Sequence, residues 1–255
     1  MESRYKNQLQ KIFEIQKKIK DIHPVLNKVF PIAIVKDDHF LIYDVSSETG
    51  KYTYIKKEKS PMPIPNKVRA AFPIESFNNR IACVVTGDVF DDIYGYVTIF
   101  HEFVHGYQFE TCELKLKMKL NVFRKAESEN NYQWEINYPF PYLNPLFVDL
   151  YQEFLTENKS ENIEIIRKKL KSILQKEDYE YMVWQEWKEG FARFIENKIN
   201  NRLNLGRNSG GRVLPFDRVT FYAGGSHFIE ILEQQQPDLI RDIEGLFHRL
   251  FIKKI

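Results

Sequence analysis

The sequence predicts an α+β protein, a small N-terminal mixed sheet followed by a largely helical C-terminal part. Two observations carry this expectation. Short β-branched and aromatic runs gather between residues 30 and 85, whereas after Asp92 apolar residues recur at helical spacing. The expected organisation is an N-terminal helix plus sheet over 1–92 and a helical subdomain over 93–255.

Each element has its own signal. Leu9, Ile12, Phe13, Ile15, Ile19 and Ile22 lie at helical spacing among Lys, Gln and Glu, which predicts a helix over 3–22 that Pro24 limits. Ile32-Ala33-Ile34-Val35, Asp37-Asp38 and Phe40-Leu41-Ile42-Tyr43 read as a hairpin. Lys51-Tyr52-Thr53-Tyr54-Ile55 alternates and predicts a third strand, and Pro61, Pro63 and Pro65 predict a loop. Arg80-Ile81-Ala82-Cys83-Val84-Val85 predicts a further strand, closed by Gly87-Asp88. Residues 93–119 read as one helix, although Gly95 and Gly106 lower its propensity. After Pro139, Pro141 and Pro145, helices are expected near 146–157, 161–175 and 178–203. Gly206, Gly210, Gly211 and Pro215 predict a loop over 206–218, with two more helices near 219–235 and 237–251. No internal repeat is visible.

Bulk properties narrow the function classes. Basic and acidic residues number 37 and 35, so the net charge of +2 gives no reason to expect a nucleic-acid partner. Cys83 and Cys112 are too few for a disulfide framework and are expected to be reduced. Met1-Glu2-Ser3-Arg4-Tyr5-Lys6 leads into the first helix without an apolar signal core, and no run approaches the roughly 20 apolar residues of a membrane span. A soluble, cytoplasmic protein with no membrane partner is the expectation.

One motif carries chemistry. In His101-Glu102-Phe103-Val104-His105 the two His are four apart, so a helix presents both imidazoles on one face to a single ion. Glu102 is then placed beside that ion, to hold a water as general base. Apolar flanks (Ile93, Val97, Ile99, Phe100, Phe103, Val104) predict a largely buried helix, where an unsatisfied His is costly and a ligated one is not. The ligand types favour one Zn2+, while cobalt, nickel and manganese suit the same donors.

A catalytic zinc needs a third protein ligand and an open position. The segment Trp184-Gln185-Glu186-Trp187-Lys188-Glu189-Gly190-Phe191-Ala192-Arg193-Phe194-Ile195-Glu196 supplies candidates on a second helix. Gly190 and Ala192 allow another helix to approach closely, and Glu189 lies at that small-residue contact. Its rivals are Glu186, about one turn earlier, and Glu196, about two turns later.

Trp187-x-Glu189-Gly190-Phe191-Ala192-x-Phe194-x-Glu196 resembles the ligand helix of gluzincin (HExxH...E) metallopeptidases, especially the aminopeptidase-N-like group. The resemblance implies a zincin-like fold, peptidase activity and Glu189 as third zinc ligand beside His101 and His105. Phe221-Tyr222-Ala223-Gly224-Gly225 resembles the downstream Y-x-x-G helix of the same enzymes. It implies that Tyr222 hydrogen-bonds the oxyanion, with Gly225 allowing close packing. His227 either assists at the same oxyanion or is a helix-surface residue. Glu196 is expected to orient a ligating His, and Arg193 to pair with a carboxylate behind the ligands.

The shared motifs cover residues 93–110, 184–197 and 219–232. Residues 106–188 separate His105 from Glu189, a longer connection than those enzymes have, and no G-x-M-E-N segment for a free amino terminus is present. The implied partner is therefore a peptide or related amide substrate, without aminopeptidase specificity. The strand Arg80–Val85 stands where zincins carry an edge strand for extended substrates. Arg207, Arg212 and Arg218 flank the glycine loop as candidates for a substrate-carboxylate clamp. Two alternatives stay open: a zinc hydrolase of a non-peptide amide or ester, and a metal-stabilised, non-catalytic binding or regulatory protein.

Overall fold

A computed structural model describes residues 5–251. The fold is α+β, with a five-stranded mixed sheet in the N-terminal part and a mainly helical remainder. The chain divides into two compact units, residues 1–110 with 195–206, and residues 111–194 with 207–255. The helix bearing the HExxH motif falls in the first unit, with the sheet.

In the first unit, α1 (Lys6–Ile19) buries Leu9, Ile12, Ile15 and Ile19. The expected start of this helix at residue 3 lies outside the described residues, as do Met1 to Arg4. Five strands follow: β1 (Ile32–Lys36), β2 (His39–Val45), β3 (Tyr52–Lys59), β4 (Arg69–Ile74) and β5 (Arg80–Thr86). Their order across the sheet is β3-β2-β1-β5-β4, with β1 and β5 parallel and the other neighbours antiparallel. Asp37 and Asp38 both take positive φ in the β1–β2 turn, which is where short acidic side chains are tolerated.

The sheet is covered on both faces, so β1 and β5 read as continuous apolar runs rather than alternating ones. Ala33, Phe40, Ile42, Ala82 and Val84 pack on one face with Ile74, Phe77 and the flanking Ile64 and Val68. The opposite face carries Ile32, Ile34, Cys83 and Val85, all buried.

Strand β4 corrects an expectation. Arg80–Val85 is not an edge strand; it lies inside the sheet between β1 and β4, and Arg69–Ile74 forms the edge. Pro73 fits an edge, since proline cannot donate to a ladder on both sides.

Helix α2 (Ile93–Gln108) begins at Asp92, whose side chain accepts from the Gly95 amide at 2.8 Å. Gly95 is required there, because a Cβ would meet the Val89 carbonyl oxygen at 1.9 Å. The single helix expected over 93–119 is interrupted: a π turn, Phe109–Glu113, separates α2 from the one-turn α3 (Leu114–Lys117). The insertion shifts the helical phase and buries Cys112 and Glu113.

The second unit continues with α4 (Asn121–Ser128), α5 (Trp134–Asn137), α6 (Pro145–Thr156) and α7 (Ser160–Ile173). Helix α8 (Lys176–Arg202) is the longest and passes from this unit into the first; α9 (Arg218–Gln235), α10 (Pro237–Arg241) and α11 (Ile243–Leu250) follow. The last two replace the single helix expected over 237–251. Phe221 centres an aromatic cluster with Phe140, Tyr142, Phe147, Tyr151 and Tyr181, at ring separations of 4.9 to 6.2 Å. Arg167 and Glu186 are both fully buried and paired at 2.7 Å, and Glu186 also accepts from the Tyr151 hydroxyl at 2.8 Å.

Helices α8 and α9 cross at glycines. A Cβ on Gly190 would meet the Gly225 Cα at 2.6 Å, and one on Gly225 would meet the Glu186 carbonyl oxygen at 2.1 Å. The obstacle at Gly225 is rigid helix backbone, which cannot yield as a side chain can. Gly225→Ala is therefore expected to lower stability by at least about 2 kcal/mol, the scale of overpacking a close contact. Urea unfolding is the measurement, and an unchanged midpoint would refute the close crossing.

Candidate metal centre

The HExxH residues sit as an amphipathic metal helix requires. His105 and Glu102 are buried and His101 is partly buried, with the imidazole centroids 4.9 Å apart. Phe100 and Phe103 anchor the helix on its apolar side, and Phe103 packs on Phe30 at 5.8 Å. Glu102 lies close enough to the face of β5 that its charge acts on Cys83. Burial, above all, and then this carboxylate push the Cys83 thiol well above its ordinary pKa.

Each imidazole is oriented by an acceptor. The Nδ1 of His101 donates to Glu196 Oε2 at 3.0 Å, and the Nδ1 of His105 donates to Gln108 Oε1 at 3.0 Å. With the proton on Nδ1, the lone pair is on Nε2, the arrangement in which a neutral His binds a metal. Glu196 is thus the carboxylate that holds the His101 ring. Gln108 was not foreseen, although it lies three residues after His105 on the same helix face.

Glu189 and Glu196 are seven residues apart on α8, close to two helical turns, and so share a face. One ligand atom from each of His101, His105 and Glu189 lies within 4.8 Å of the other two. Glu186 is spent on Arg167 and Tyr151, which removes the first rival. Glu196 is engaged as the acceptor for His101, which removes the second.

Around Glu189 the second unit supplies Tyr222 and Arg218. The Tyr222 phenol pKa is pushed up, first by burial and then by the charge of Glu189. Tyr222 therefore stays protonated and able to donate. Arg218 approaches Glu189 Oε1 at 3.9 Å. Arg193 donates to the Gly210 carbonyl at 3.3 Å and places its guanidinium 5.6 Å from the Tyr222 ring centre.

His227 has a different occupation. It is five residues after Tyr222, hence roughly 140° around α9 and away from the Tyr222 face. Its Nε2 donates to the Glu157 carbonyl at 2.7 Å, and its ring packs against Phe154. The residue is buried, so it is not the helix-surface residue of one expectation. Its hydrogen bond tethers the end of α6.

The donor set suits zinc: two imidazole nitrogens and one carboxylate, with oriented rings and a further carboxylate, Glu102, next to the first ligand. Comparison of the chain with protein-family models, curated proteins and solved structures found no match in any of the three.

Burial lowers the His227 pKa, against the Glu157 hydrogen bond and with help from the Arg212 charge. Above its unfolded value near 6.5 the ring is neutral in both states. Below that value the unfolded chain takes up a proton that the folded chain resists, so stability falls as pH drops from about 6.5 towards the folded value. The expected result is a smaller loss of thermal midpoint between pH 7.5 and 5.5 in His227→Gln than in the parent; equal losses would show that His227 is not a titrating contributor.

Proposed function

We propose that the chain is a zinc-dependent metallohydrolase of the gluzincin type, acting on a peptide or related amide. The observation that carries this reading is the grouping of His101, His105 and Glu189 within 4.8 Å, with Glu102 adjacent. A purely structural zinc prefers four closed ligands and has no use for a neighbouring base. A carboxylate next to the first His in sequence, held at 6% exposure, would serve proton transfer there.

Zinc, when bound, would lower the pKa of a water and polarise the scissile carbonyl. Glu102 takes the proton of the attacking water and returns it to the departing amine, so the carboxylate ends the cycle unchanged. Glu196 and Gln108 keep His101 and His105 in the ligating tautomer throughout. Tyr222, protonated because burial and Glu189 disfavour its phenolate, donates to negative charge developing on the carbonyl oxygen.

Extended substrates would pair with an open sheet edge, and the edge strands are β3 and β4 rather than β5. Both cysteines are free and buried, which suits a reducing compartment, and we place the protein in the cytoplasm. No helix among the described residues is long and apolar enough to cross a membrane.

Three variants test the reading by separate measurements. Glu102→Gln is expected to retain one zinc per chain by elemental analysis and to lose peptide hydrolysis. Glu189→Ala is expected to lose the metal itself. Glu196→Ala should weaken zinc binding by about 10- to 100-fold in a chelator competition, the usual cost of removing the partner of a ligating His. Full hydrolysis by Glu102→Gln would sink the mechanism, and zinc retained undiminished by Glu189→Ala would sink the ligand set.

A further inference from the structure

The three arginines flanking the 206–217 loop have different employment. Arg207 donates to Glu230 at 2.6 Å. Arg212 donates to the Leu155 carbonyl at 3.1 Å, and burial pulls its pKa down. Arg218 makes a looser contact: its Nη1 lies 3.9 Å from Glu189 Oε1, too long for a hydrogen bond. About a third of its side chain is exposed, at 32%.

Its surroundings hold this cation next to the reacting groups. The guanidinium lies over the Tyr222 ring, 5.3 Å from the centre, and Arg193 occupies the same ring at 5.6 Å. Two guanidinium groups therefore face one phenol, while Glu189 is the carboxylate within 4 Å of Arg218. A Glu189 carboxylate that shares its charge with a metal holds Arg218 less firmly, leaving a planar two-pronged donor with surplus positive charge. That geometry matches a carboxylate, which accepts two parallel N–H bonds from one guanidinium.

We propose that Arg218 is the specificity-determining residue of this site, binding a carboxylate of the substrate close to the bond that is cut. The proposal rests on the metallohydrolase reading above. It names a substrate class: peptides that place either a free C-terminal carboxylate or an Asp or Glu side chain beside the scissile amide. Arg207 and Arg212 take no part, because Glu230 and the Leu155 carbonyl already hold them.

The test measures binding, so it does not depend on turnover. Full-length Glu102→Gln protein is loaded with zinc, its metal content is measured, and it is mixed with pooled N-acetylated tripeptides randomised at every position. One pool ends in a free carboxylate and the other in an amide; retained peptides are counted by mass spectrometry after ultrafiltration. The expected result is at least tenfold enrichment of carboxylate-bearing peptides, abolished by Arg218→Ala and partly kept by Arg218→Lys at unchanged zinc content. Enrichment confined to the free-acid pool assigns the C-terminal carboxylate, and enrichment of Asp- and Glu-containing amides assigns the side chain. Retention by zinc-loaded protein that favours neither free-acid peptides nor Asp- and Glu-containing amides, or a preference that survives in Arg218→Ala, overturns the proposal. Protein that takes up no zinc instead overturns the metallohydrolase reading, and this inference with it.

Discussion

The rotational setting of α8 is the constraint on which the candidate site depends. Glu186, Glu189 and Glu196 lie on one helix, and because Glu186 points roughly 60° away from Glu189, a rotation of about that size would turn Glu186 to the direction that Glu189 now takes. Two contacts within the second unit fix that rotation. The Gly190–Gly225 crossing brings helix backbones so close that no other residue pair could sit there. The buried Arg167–Glu186 pair fixes the neighbouring direction, since turning Glu186 away would leave a guanidinium without its carboxylate in an apolar interior. Losing one partner of such a pair costs about 3–5 kcal/mol, more than any single surface contact could offset. Lys188 adds a third constraint: burial opposes its charge, but Glu135 and Glu113 more than compensate and hold it on their own side. Glu189 then has one direction left.

Helix α2 meets a complementary requirement. Its apolar residues are satisfied by the sheet and by Phe30, and its polar residues are satisfied by partners chosen one by one. Two imidazoles packed 4.9 Å apart would repel if both were protonated. Acceptors at both Nδ1 atoms fix the ring orientations, and a cation taking both Nε2 lone pairs makes that proximity favourable. Without such acceptors, two imidazoles this far inside the protein would be costly to bury.

What could be read in advance follows the range of the interaction. His101, Glu102 and His105 are related by helical spacing alone, so five residues sufficed to define them. Glu189 was legible because Gly190 and Ala192 beside it announced a close helix contact, and Gly225 is the other half of that contact. Gln108 lies within the same local range, but a neutral amide on a helix carries no sequence mark of which side chain it will accept from. Strand β4 was hidden for a different reason: in Arg-Ala-Ala-Phe-Pro-Ile the alanines have little β propensity and Pro73 argues against a strand, and pairing with β5 makes it one. For His227 the sequence leaves two readings open, because closeness to Tyr222 along the chain does not say which way a helix turns it, and five residues turn it well away. The unit boundary fell inside a helical stretch, where hydrophobic periodicity carries no mark of which neighbour a helix packs against.

The long connection between His105 and Glu189 is explained by the same reasoning. A short link would place the ligand helix by tethering it near the metal helix. Here the intervening chain contributes the groups that position α8 directly: Glu113 and Glu135 for Lys188, Tyr151 and Arg167 for Glu186, and Tyr142 and Phe147 for the Phe221 cluster at the start of α9. They act from the π turn that ends at Glu113, from α5, α6 and α7, and from the turn that holds Tyr142. Removing the segment would shorten the connection and also release the rotation of α8, so Glu189 would lose its direction even if its distance along the chain improved. The segment is thus part of the second unit's core, and the third carboxylate is placed by the packing of that core rather than by the length of chain that leads to it.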